Sequence, residues 1–148
     1  MRTATLRIVD LFVAVALCLA AGGCAWIEGT SSRFSDRQEA EAAEMFAKGW
    51  LPQWLPQSSE NLREKHVHDT SASILRFEYD TAKDAPPFGG ACEPTERKRV
   101  ESPRVDAWWW PDAPTLRSMP HLYDCRDDSG YLAVPAEGGI AYFWRASL

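Results

Sequence analysis

The sequence predicts an α+β domain in which one N-terminal helix packs on a small, mostly antiparallel sheet of five or six strands, held by one disulfide. Three observations predict it. Residues 36–48 are a single run of helix-favouring character, several short segments of alternating polarity follow at hairpin-length spacing, and Cys92 and Cys125 remain as one pair of thiols once the leader and Cys24 that follows it are set aside. The chain of 148 residues is one domain by size. Its formal net charge of −5 gives it no overall electrostatic reason to seek nucleic acid or anionic lipid. The densest basic patch, Arg97-Lys98-Arg99, is interleaved with Glu93, Glu96 and Glu101 and reads as a solvated loop.

The helix is placed at 36–48 because Ser35 and Gln38 have capping-box spacing, alanines dominate the run, and Gly49 stands where a left-handed residue ends a helix. Trp50-Leu51-Pro52 and Trp54-Leu55-Pro56 then form a rigid corner, since each proline removes a donor and fixes φ. Residues 61–68 are expected as a polar edge strand. Residues 73–79, with Leu75, Phe77 and Tyr79 on one face, are expected as its half-buried hairpin partner. The proline-, glycine- and charge-rich stretch 80–103 reads as a loop held by Cys92. Strand character returns at 104–110, a turn or short helical piece at 112–118, and another strand at 121–126. Segments 131–135 and 140–145, joined by Ala136-Glu137-Gly138-Gly139, make the clearest hairpin.

The amino terminus carries a different message. Arg2 and Arg7 precede an apolar stretch at 11–21, well short of the roughly 20 residues that cross a bilayer as a helix. Small residues Ala21, Gly22 and Gly23 then lead into Cys24, as at a secretory cleavage site. The arrangement resembles the lipobox of bacterial lipoproteins, with Ala21 where leucine is usual. That resemblance implies that Cys24 is acylated and becomes the first residue of the mature chain. The expected organisation is a signal peptide at 1–23, a tether at 24–34 and a single globular domain at 35–148. With Ala25 after the cysteine, an outer-membrane anchor facing the periplasm is expected, by analogy with enterobacterial lipoproteins. In that oxidising compartment Cys92 and Cys125 should pair; a two-cysteine metal site with histidines is the alternative.

The mature part carries a second resemblance. Gly49-Trp50-Leu51-Pro52, then Leu55-Pro56-Gln57-Ser58, Asp69-Thr70-Ser71, Trp109-Trp110-Pro111, Tyr123-Asp124-Cys125 and Tyr142-Phe143-Trp144 follow one another between about residues 35 and 145. This order is similar to small bacterial lipoproteins and to the YbbD head domain. In such proteins asparagine is expected where Ser71 stands. The resemblance implies no activity and carries no catalytic residue or cofactor across.

Chemistry is sought in two places. His66 and His68 share a strand face with Asp69 next to them, and His121 is the only other imidazole. Together these four could hold a zinc or copper ion, but a solvated polar edge strand explains them more simply. No Gly-x-Ser-x-Gly, phosphate-cradling loop or nucleotide fingerprint is present. The second place is the run Trp108-Trp109-Trp110. On a strand, Trp109 would join Val105 and Ala107 in the core, while Trp108 and Trp110 would share the opposite face as a binding surface or lie beneath a covering loop. The reading is a lipid-anchored envelope domain without catalysis that binds another envelope component. A metal-dependent envelope enzyme or an immunity-type lipoprotein is the alternative.

Overall fold

The computed structural model describes residues 29–146. Seven strands form one sheet: β1 (Thr30–Asp36), β2 (Glu60–His66), β3 (Ser73–Glu78), β4 (Glu93–Pro94), β5 (His121–Cys125), β6 (Gly130–Val134) and β7 (Ile140–Arg145). They lie in the order β1-β2-β3-β7-β6-β5-β4, and every neighbouring pair is antiparallel. The helices are short: α1 (Arg37–Ala42) and α2 (Ala113–Ser118).

This corrects the expected fold. Among the described residues no long helix packs on the sheet, and the strands number seven rather than five or six. The first element among the described residues is β1, which starts inside the stretch expected as tether and runs two residues past it, and it is the true edge beside β2. Helix α1 stops after six residues because Glu44 takes a left-handed φ of 60°. From there the chain closes on itself through Lys48 N–H to Glu44 O and Trp50 N–H to Met45 O, with Gly49 again left-handed at 76°. Helix propensity is a weak prior that tertiary packing overrides. What wins here is the burial of Met45 and Phe46, which those turns deliver into the core. The start of α1 is a capping arrangement one residue later than predicted. Asp36 accepts from Glu39 N–H, while the Glu39 carboxylate accepts from Ser35 N–H and Oγ–H.

Both sheet faces are covered. One face carries Leu62, Leu75, Phe77, Leu132 and Phe143 and is closed by Met45, Phe46, Leu51, Leu55 and Phe88. The Trp-Leu-Pro corner therefore does bury its leucines, as its prolines suggested. Opposite, Ile74, Ala133, Leu122 and Trp144 pack against Val100, Val105 and Leu116 from the segment that includes α2. Gly130 is where the backbone needs no side chain: a Cβ there would lie 2.6 Å from the Phe143 ring. Cys92 and Cys125 form the expected disulfide across 33 positions. It ties the two-residue strand β4 to the end of β5.

The stretch 104–110 is not a strand. A turn closed by Trp110 N–H to Ala107 O breaks the alternation. The hairpins β2–β3 and β6–β7 form as expected, but β2 is an inner strand.

Candidate functional site

Because 104–110 is a turn, Trp108 and Trp110 do not share a face. Trp108 is 89% exposed, the one large exposed hydrophobic side chain among the described residues. Trp110 instead meets Tyr142 and Trp144 edge-on and belongs to the second core. Val105 is buried as expected, and Trp109 lies at the margin of that core. Of the two indoles expected to share a surface, Trp108 alone is exposed and Trp110 is half-buried.

A basic row that the sequence reading missed flanks Trp108. Arg33 on β1 is the register partner of Arg63 on β2, which is in turn the partner of Arg76 on β3. Directly opposed residues of an antiparallel pair project to the same face, so three guanidinium groups stand side by side across three strands. The Arg63 guanidinium sits 5.3 Å from the Trp108 ring centre, within cation–π range. Arg33, Asn61, Arg63, Arg76, Glu78 and Trp109 line an open cavity of about 320 Å³. Arg76 donates to Glu78 at 2.8 Å, Asn61 donates to the same carboxylate at 2.9 Å, and these bonds hold the Glu78 pKa below its usual value. The signal for this row was the pairing of β1, without which Arg33 has no neighbour.

The histidine reading is corrected in part. His66 is buried, not solvated, and so is Glu64, which is 0% exposed. The face that carries His66 is covered by Trp50 from the corner, a contact between distant positions that strand alternation does not reveal. Glu64 Oε1 and His66 Nδ1 lie 2.7 Å apart. Burial pushes the Glu64 carboxyl up to about 8, against the partial opposition of the Arg145 charge, and burial with the neighbouring His68 pushes the His66 pKa down. Both environments favour a neutral pair with one proton between Oε1 and Nδ1. Trp50 stacks on the His66 ring with centroids 3.5 Å apart, and His68 meets both rings edge-on. Trp50 also lines a cavity of about 430 Å³ with Lys48, Ser71, Asp128 and Arg145, and His66 is not among the residues lining it.

Asp69 and His121 stay apart from this pair. Asp69 is exposed in the β2–β3 turn, while His121 begins β5, with β3, β7 and β6 between its strand and β2. Among the described residues no three His, Cys, Asp or Glu side chains gather in a group fit for a metal ion. Cys24, the expected lipidation site, lies outside the described residues.

The family model of the YbbD head domain matches residues 28–78. The match spans β1, α1, the Trp-Leu-Pro corner, β2 and β3, so it contains Trp50, Glu64, His66 and the whole arginine row. No curated protein and no solved structure matches the chain.

Proposed function

We propose that this chain is an envelope lipoprotein, held on the periplasmic side of the outer membrane by acyl chains on Cys24, whose domain binds another envelope component and does no catalysis. The observation that carries the binding reading is Trp108, an indole 89% exposed and placed over Arg63. Burying an exposed indole contributes more to association than almost any other side chain, and Trp and Arg are the residue types most enriched at the centres of interfaces. Acyl chains contribute roughly 0.8 kcal/mol per buried methylene, so two or more suffice to hold such a domain without a spanning helix. The cysteine after three small residues and the likeness to the YbbD head domain support the envelope part.

The test is crosslinking in intact cells that produce the full chain, followed by mass analysis of what is captured and of the mature N-terminal peptide. Acyl groups on Cys24 and a specific envelope partner lost in Trp108→Ala are the expected results. An unmodified Cys24 removes the anchor. A partner retained by Trp108→Ala removes the proposed surface.

A further inference from the structure

We infer that the row Arg33, Arg63 and Arg76 is a binding site for a phosphoryl group, with Trp108 and Trp109 as its apolar border. This deepens the binding-domain reading and rests on it. Like charges directly opposite one another on paired strands destabilise a sheet. Here the repulsion occurs twice in succession, Arg33 against Arg63 and Arg63 against Arg76, in a chain whose formal net charge is −5. Packing does not require it, since the three side chains line an open cavity rather than the core.

The chain supplies one carboxylate to the row, and its placement indicates what remains to be bound. Glu78 takes Arg76 and Asn61. Among the described residues neither Arg33 nor Arg63 has a carboxylate in ion-pair contact. Glu78 is bonded to Arg76, so Arg33 and Arg63 are left as two guanidinium groups without an ion-pair contact among the described residues, donors suited to the charge of about −1.5 to −2 on a phosphate monoester at neutral pH. Neighbouring strands lie about 4.8 Å apart, so a group seated above Arg63 is within reach of the guanidinium on either side. Planar guanidinium forks bind phosphate oxygens in pairs, and three forks suit three oxygens better than the two of a single carboxylate. Further along the same strands Asp36, Glu60 and Glu78 are also register partners, so the ligand's negative charge is confined to the arginine row.

The phosphoryl group could belong to a soluble phosphate compound or to a phospholipid headgroup, and the two are separable by experiment. The full lipidated chain is placed in phosphatidylcholine nanodiscs and titrated with inorganic phosphate, read by broadening of the phosphorus NMR signal against chloride at equal ionic strength. In a second arm the discs contain phosphatidic acid, whose headgroup is a phosphate monoester, and protection of tryptophan from an aqueous quencher is measured. Phosphate broadening in the first arm identifies a soluble ligand, and protection confined to the second identifies a headgroup. In either case Arg63→Gln should weaken the response about tenfold or more with Arg63→Lys intermediate, because the fork is lost in both and the charge in one. Arg33→Gln, on the edge strand, repeats the test if Arg63→Gln does not fold. No response in either arm, or a response unchanged in both glutamine variants, overturns the proposal. If a partner is still captured through Trp108 when both arms fail, the phosphoryl site falls while the binding-domain reading stands.

Discussion

Glu64 and His66, two residues apart on β2, turn the same way into the core and lie 2.7 Å apart through Oε1 and Nδ1, with Trp50 stacked over the imidazole. Two ionisable groups in so small a core are tolerated because each environment favours the neutral form of the group it holds. The consequence is a stability that depends on pH in an unusual direction for a carboxylate.

The folded-state pKa of Glu64, about 8, is above its ordinary 4.5. The stability it contributes is therefore fully present below 4.5 and is lost as pH rises through 8. His66 is shifted down from 6.5, so its contribution is present above 6.5 and is lost as pH falls. Acidifying from above pH 8 to 6.5 should raise stability, with a limiting slope of about 1.4 kcal/mol per pH unit for one proton. Below 6.5 the loss from His66 opposes the gain and the curve flattens. Urea midpoints across this range check the shape. Glu64→Gln, which keeps a hydrogen-bonding group beside His66, should abolish the rise above pH 6.5 and leave the fall below it.

Arg145 joins the last strand to the corner that covers it. Its guanidinium donates to Asp128 O at 3.1 Å, to Asp128 Oδ1 at 3.2 Å and to Gly49 O at 2.8 Å, while Trp54 Nε1 donates to the other Asp128 oxygen at 2.6 Å. The pair is mostly covered, with 14% and 21% side-chain exposure. Arg145→Met strips the carbonyls of Asp128, Gly49 and Trp50 and the Asp128 carboxylate of a donor and should cost about 2 kcal/mol or more. It should also raise the Glu64 pKa further, because the Arg145 charge opposes the upward shift. Denaturant melts give the first effect, and the alkaline limb of the stability curve gives the second.

The Cys92–Cys125 disulfide closes a loop of 33 positions around a strand of two residues. Replacing both cysteines by alanine should cost about 3 to 4 kcal/mol in the chain-entropy account. The loss should appear first in hydrogen exchange at β4 and the end of β5, since β4 pairs with no other strand. Uniform exchange across the sheet at an unchanged melting midpoint would contradict this assignment.

Elements whose signal is local were legible. The β6–β7 hairpin, the turn at 135–139, the cysteine pair and the short helix before Pro120 all declare themselves within a few residues. The early end of α1 was not legible, because the alanines of 36–48 report propensity alone, while the helix is ended by Glu44 adopting φ of 60° to bury Met45 and Phe46. Residues 30–34 read as part of a tether because Thr, Ser and Arg show no apolar alternation. Their strand exists because β2 offers them an edge. That omission hid the arginine row, since without β1 the residues Arg33, Arg63 and Arg76 look unrelated, while the burial of His66 depends on Trp50 folding over it from the corner. Trp108 was found through composition, and its separation from Trp110 depended on the Ala107–Trp110 turn, which alternation does not reveal.

That separation gives the sharpest contrast between neighbouring side chains. Trp110 packs edge-on against Trp109, Tyr142 and Trp144, so Trp110→Ala removes aromatic contacts and opens a void beside the second core. A loss of about 2 to 4 kcal/mol is expected, somewhat less than for a fully buried indole. Trp108 is 89% exposed, and Trp108→Ala should change stability by no more than about 0.5 kcal/mol. If Trp108 serves binding, the two variants should part in the opposite sense when capture is measured at a temperature where both are folded. Trp108→Ala should lose the partner, and Trp110→Ala should keep it in proportion to its folded fraction. Equal melting curves for the two variants would mean that the turn at 107–110 does not divide them, and a stable Trp108→Ala with full capture would leave the exposed indole without a role in binding.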